Sequence, residues 1–297
     1  MNQFLRNLSP LSQLAFSIAF SFFSVVLFSV VATLLASAWF GYSIEELTTN
    51  FDFFAPENLE VIVLFTLLNA IGMFLLPALT CASFFSSEPY VYLRLTQMPT
   101  AKVWVMALVL VLLSFPVINF TNALNGLIEL PTWLAEEEAK REQLIGWILS
   151  ENTLLQNLLI LAIVPAFSEE FFFRGLLQKL MNKALGGRYH VAVFVLAFVF
   201  SAMHMQFAGF IPRFFMGLVL GYVYVYTGSL WPGIFIHFVN NALGVVLGML
   251  MINHPEIKAI DEFGGEFSIM SGALAIATLA LMVLIFKQLK HLRLMTE

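Results

Sequence analysis

Apolar windows long enough to cross a bilayer recur along the chain at 12–40, 61–85, 101–122, 153–178, 190–207, 210–227, 231–252 and 269–287. A helix rising 1.5 Å per residue needs about 20 such residues to span a hydrocarbon core roughly 30 Å thick. The pattern predicts an all-α protein: a polytopic membrane bundle of about eight transmembrane helices, built as a single membrane domain over residues 1–297. The first window is too long for the apolar region of a signal peptide and reads as a retained span. Between the third and fourth windows the pattern changes. An acidic run, Glu136-Glu137-Glu138, leads into a stretch that gathers Leu144, Ile145, Trp147 and Ile148. That arrangement predicts an amphipathic helix over 134–149 lying at the membrane interface.

Basic residues sort by side. With a cytoplasmic N-terminus, the inner segments carry Arg6, Arg94, Lys102, Lys179, Lys183, Arg188, Lys287, Lys290 and Arg293. The outer ones carry Lys140, Arg141, Arg213 and Lys258. Nine against four places both termini in the cytoplasm of a multi-pass cell-membrane protein, with 41–60, 123–152 and 253–268 outside.

Composition agrees with this class and closes others. Mean hydropathy is +0.88, and only 11% of residues are charged, too few to cover a water-facing globule. Membrane lipid is thus an expected partner. Nucleic acid is not, since no basic cluster exceeds the C-terminal Lys287, Lys290 and Arg293. The single cysteine, Cys81, excludes an intramolecular disulfide and reads as a small packing residue.

Polar groups inside the apolar windows are the informative departures, because ionisable side chains at membrane depth are costly and pair or do chemistry. The fourth window contains Pro165-Ala-Phe-Ser-Glu169-Glu170-Phe-Phe-Phe-Arg174-Gly175. Residues four apart share a helix face, so Glu170 and Arg174 are expected to form an ion pair. Glu169, about 100° around the helix, is left as a free carboxylate. Pro165 withholds a backbone donor one turn earlier. His204 follows Phe200 by four residues in the fifth window, and His237 and Asn241 share a face in the seventh. A lone intramembrane histidine ordinarily bonds a neighbouring helix. Two histidines with an unpaired glutamate and an amide are instead the parts of a hydrolase: a base for water, a group to orient it, and donors for an oxyanion. Gly217/Gly221 and Gly244/Gly248 have the small-xxx-small spacing of close helix contacts and are assigned to internal packing.

The three motifs in order, Glu169-Glu170-Phe-Phe-Phe-Arg174, Phe200-Ser-Ala-Met-His204 and His237-Phe-Val-Asn-Asn241, resemble the CPBP family. This family comprises CAAX prenyl endopeptidases and bacteriocin-processing or self-immunity membrane proteins, also called Abi proteins. The resemblance spans about 165–241 and implies a CAAX-protease-like intramembrane endopeptidase with its catalytic core there. It implies Glu169 as the catalytic base acting with His204 on water, His237 and Asn241 as oxyanion donors, and Glu170 with Arg174 as the supporting pair. Its substrate would be a membrane-associated or lipidated protein or peptide. Members carry the label metalloprotease, and Glu169, His204 and His237 are also a zinc-ligating set; the preferred expectation is no metal. Two other readings stand beside it: a non-catalytic immunity or scaffold protein of the same fold, and a transporter with a Glu169–His204 proton relay.

Overall fold

The computed structural model describes residues 2–254 and 267–294, so the expected outer loop 253–268, with Lys258, lies almost wholly outside the described residues. All regular structure among the described residues is helical. The principal helices are α1 (Pro10–Phe40), α2 (59–85), α3 (Ala101–Gly126), α4 (Thr132–Glu151), α5 (154–184), α6 (Tyr189–Met203), α7 (Phe210–Thr227), α8 (Trp231–Asn253) and α9 (Ile269–Leu294).

Six of these are long and apolar enough to cross a membrane: α1, α2, α3, α7, α8 and α9. The fourth and fifth predicted windows are helical but fall outside that set. The first of them, α5, carries Glu169, Glu170, Arg174 and Lys179 along its length. The other, α6, has 15 residues and stops at Met203, so the window expected to reach 207 is shorter than its hydropathy implied. The amphipathic helix is present as α4, and its Ile148 and Leu149 are buried.

The helices turn their polarity inside out. In α1 the buried positions include Gln13, Ser17, Ser21, Ser24, Ala32 and Ala36, while Phe22, Phe23, Val26, Val30 and Leu34 face outward. Lipid solvates large apolar side chains as well as a protein core does, so packing selects small residues and internally bonded polar ones. The buried apolar side chains form two main clusters. One surrounds Phe173, Leu176 and Leu180 of α5 with α1 and α2. The other joins Leu110 of α3, Leu220 of α7, Ile236 of α8 and Met282 of α9. Between the clusters, α6 and α7 form a tight hairpin. A Cβ at Gly217 would stand 2.9 Å from the Ala197 Cα, so the glycine is what lets these helices approach. The Gly217/Gly221 pair thus packs internally, as expected. Gly244 does not: nothing lies within 4 Å of its would-be Cβ.

Among the described residues two helices, α2 and α5, contain π-helical turns, and the first such turn in each precedes a proline by the same offset. Ile71–Leu75 is followed by Leu76 and Pro77; Leu159–Ile163 is followed by Val164 and Pro165. Proline cannot donate to the carbonyl four residues back, and its ring crowds that oxygen. The wider turn relieves the crowding and leaves a carbonyl for a neighbouring helix. Ser21 of α1 donates to the Met73 oxygen, and Asn241 of α8 donates to the Leu161 oxygen.

Candidate active site

The helix α5 is capped at its start by Thr153, whose side chain and that of Gln156 form a reciprocal capping box. After the first π turn and Pro165, a short α stretch ends on Glu169 and Glu170, and a second π segment runs Phe171–Gln178. Segments of this kind recur at functional sites because the extra residue re-aims side chains.

Glu170 is fully buried. Its Oε1 accepts from Arg174 Nη1 at 2.7 Å and from His237 Nδ1 at 3.1 Å. Arg174 also donates to the Gly217 carbonyl at 3.2 Å and lies 4.7 Å over the Phe200 ring. One turn on, Gln178 donates to the Gly221 carbonyl at 3.0 Å, so the i, i+4 pair on α5 docks on an i, i+4 pair of glycines on α7. A Cβ at Gly233 would stand 3.1 Å from Glu170 Oε2, so the carboxylate rests against the bare backbone of α8. The expected ion pair is present. Beyond the expectation, its carboxylate also holds His237. An ionised carboxylate only accepts, so the proton on that side of the ring is on Nδ1, and Nε2 faces the cavity.

Glu169 turns the other way. Its Oε2 is buried, stands 3.8 Å from His237 Nε2, and has no hydrogen-bond partner among the described residues. It lines a cavity of about 500 Å³ together with His204, His237 and Asn241, so the structure brings all four predicted catalytic side chains to one space. His204 is not inside a span as the pattern implied; it caps the end of α6. Its Nδ1 donates to the Phe200 carbonyl at 2.8 Å, which leaves Nε2 with its lone pair. Phe200 supports both histidines, its ring centroid lying 5.0 Å from that of His204 and 5.9 Å from that of His237. Asn241 donates one amide hydrogen to the Leu161 carbonyl freed by Pro165, at 3.3 Å, and retains a second.

Several lining groups were not anticipated. Arg213, counted from sequence as an outer loop charge, lines the cavity and donates to the Gln206 carbonyl at 3.0 Å and to its Oε1 at 2.9 Å. Ile145 and Leu149 of α4 border the same space, so the interfacial helix roofs the site. The sequence signal for Arg213 was slight: one cation beside Pro212 at the start of an apolar window. For α4 the signal was its apolar side, read only as membrane-facing. Among the described residues no three His, Cys, Asp or Glu side chains gather closely enough to hold an ion.

The six site residues expected from the sequence, Glu169, Glu170, Arg174, His204, His237 and Asn241, fall within one segment that family comparison singles out. Residues 151–243 match the type II CAAX prenyl endopeptidase Rce1-like family. The match bears out the resemblance carried by the three motifs. Among curated proteins, the chain is similar to the uncharacterized protein YpbD of Bacillus subtilis (strain 168), 27% identical over 93 residues. That likeness covers 30% of this chain and 44% of YpbD, less than half of either. No solved structure matches the chain. Over residues 151–243 the chain is similar to this CAAX-protease-like family, which makes a peptidase the activity to test, and its six long apolar helices are those of a multi-pass membrane protein.

Proposed function

We propose that the protein is an intramembrane endopeptidase that hydrolyses a peptide bond of a membrane-associated or lipidated protein without a metal cofactor. The observation that carries this reading is Glu169 Oε2: a buried carboxylate oxygen without a hydrogen-bond partner among the described residues, in one cavity with His204, His237 and Asn241. An unpaired buried acceptor costs about 1–3 kcal/mol, and such a group is retained where it acts.

In this mechanism Glu169 takes a proton from water held against His204 Nε2, and the water oxygen adds to the scissile carbonyl carbon. The carbonyl π electrons move to oxygen. The resulting oxyanion is bonded by the free amide hydrogen of Asn241 and by Nε2–H of a doubly protonated His237. The oxyanion then collapses, the carbon–nitrogen bond breaks, and Glu169 returns its proton to the leaving amine. Glu170 accepts from His237 Nδ1 and from Arg174, orienting the ring rather than touching substrate. The basic-residue asymmetry supports a cell-membrane protein with both termini in the cytoplasm.

The test is cleavage in proteoliposomes of a prenylated peptide extending a few residues beyond the modified cysteine, beside its unmodified twin. Wild type is expected to release the C-terminal fragment and Glu169→Gln to release none while eluting as wild type. Equal release by both proteins refutes the mechanism, and release from neither peptide favours the non-catalytic scaffold.

A further inference from the structure

The catalytic cavity holds a cation that the hydrolytic steps leave unused. Beyond the acid–base groups its wall is largely apolar, with Ile145, Leu149, Ile160, Met216 and Leu220, and Arg213 is set among them. Arg213 stands in the first turn of α7, where the helix dipole is positive and a cation has the wrong sign. It is half-buried at the start of a helix apolar enough to span a membrane, where a charge is costly and is kept for pairing or chemistry. The guanidinium is also held in place. Nη1 donates to the Gln206 carbonyl at 3.0 Å and Nη2 to the Gln206 side-chain oxygen at 2.9 Å. A Cβ at Gly209 would stand 3.0 Å from Arg213 Cζ, so the planar group lies against bare backbone. Met205, with φ at 51°, takes the left-handed conformation one residue before Gln206 and turns the chain there. Gln206 is neutral, so its two bonds orient the charge without cancelling it. Of the carboxylates whose charge reaches Arg213, Glu138 accepts from the Phe207 amide through Oε1, and Glu169 Oε2 stands beside His237. Gln206 occupies two of the five guanidinium N–H donors, and among the described residues no acceptor takes the others.

We propose that Arg213 determines specificity by binding a carboxylate of the substrate, either at the end of its chain or on an acidic side chain. A fixed guanidinium with unused donors matches the two oxygens of a carboxylate. A cavity of about 500 Å³ admits a short stretch of extended chain and no folded domain, and such a stretch can bring either carboxylate to Arg213. The assignment rests on the peptidase reading of the same cavity and states what that substrate carries.

Full-length Glu169→Gln protein in detergent, which lacks the base and leaves peptide intact, is titrated with prenylated peptides following thermal stability. Three peptides share one sequence, with a glutamate beyond the modified cysteine: the free acid, its C-terminal amide, and the free acid with glutamine in place of that glutamate. The free acid is expected to bind most tightly. A midpoint about 10–100-fold weaker for the amide identifies the chain end as the source; the same loss for the glutamine peptide identifies the side chain. Adding Arg213→Gln should weaken the free acid by that factor and leave the weaker peptide unchanged, which also cancels any difference in partition into detergent. Arg213→Lys, with the charge but without the fork, should keep part of the preference. Equal weakening of all three peptides by Arg213→Gln indicates a structural role and overturns the proposal, as do three equal midpoints or no binding at all. If Arg213→Gln does not fold, the three midpoints on the Glu169→Gln protein, with and without Arg213→Lys, still decide. Charge-selective binding by a protein whose wild type cleaves none of the peptides removes the peptidase reading and leaves the role of Arg213; cleavage of all three with one KM does the reverse.

Discussion

Replacing Glu170 by alanine removes the acceptor for two side chains at once. Arg174 Nη1 loses a 2.7 Å partner at a site where the two side chains are 3% and 0% exposed, and His237 Nδ1 loses its 3.1 Å bond. The Gly217 carbonyl and the Phe200 ring remain to Arg174, but neither carries a negative charge. Stranding one member of a buried ion pair costs about 3–5 kcal/mol. The orphaned imidazole adds to this, though not additively, since both losses share one oxygen. Against a total stability of about 5–15 kcal/mol, the loss is a fifth or more, roughly 10 °C in melting temperature. Glu169→Gln keeps the shape of a side chain whose Oε2 has no hydrogen bond to lose, so its melting temperature should match wild type. Replacing both partners, Glu170→Leu with Arg174→Leu, should recover much of the loss, because apolar residues of similar size carry no desolvation penalty. Thermal unfolding of the four proteins in one detergent, followed by monodisperse elution, measures all of this. Equal losses in Glu170→Ala and Glu169→Gln, or a Glu170→Ala protein as stable as wild type, would refute the division between a structural and a reactive carboxylate.

Three further outcomes follow from the same geometry. His237→Ala and Asn241→Ala should each lower turnover by roughly 10²–10³-fold, the usual loss for one oxyanion donor, measured on the substrate that wild type cleaves. Cleavage should survive exhaustive chelation; elemental analysis finding about one zinc per chain in wild type and none in His204→Ala would replace the metal-free mechanism with a zinc one. Gly217→Val should destabilise strongly, because its Cβ already meets Ala197 at 2.9 Å, whereas Gly244→Ala, with open space around it, should melt as wild type does.

What the sequence made legible was whatever a single helix determines. The spacing of Glu170 and Arg174 foretold their ion pair, and that of Gly217 and Gly221 foretold a close contact, because four-residue spacing is a property of one helix. Partners on different helices were not legible. Nothing local to His237 says that its Nδ1 belongs to Glu170, and nothing local to Asn241 names the Leu161 carbonyl. Pro165 did announce a missing donor, but which side chain takes the freed oxygen depends on how α8 crosses α5. The end of α6 was misjudged because Met205 and Phe207 continue the apolar pattern past the last helical turn. Hydropathy records affinity for lipid and is blind to where the backbone stops winding.

The π turns on either side of Glu169 and Glu170 make α5 sensitive to where a residue is lost. Each such turn accommodates one residue more than an α turn, so losing one from 159–163 lets the turn close into ordinary α geometry with the phase kept. Losing one instead from the α stretch 154–158 would swing the glutamates by about 100° relative to the capped start at Thr153. Glu169 would then leave the cavity with every side chain of the site chemically unaltered. Deletion scanning through 154–163 thus probes a property that alanine scanning passes over: the rotational timing that delivers a carboxylate to one space and its neighbour to another.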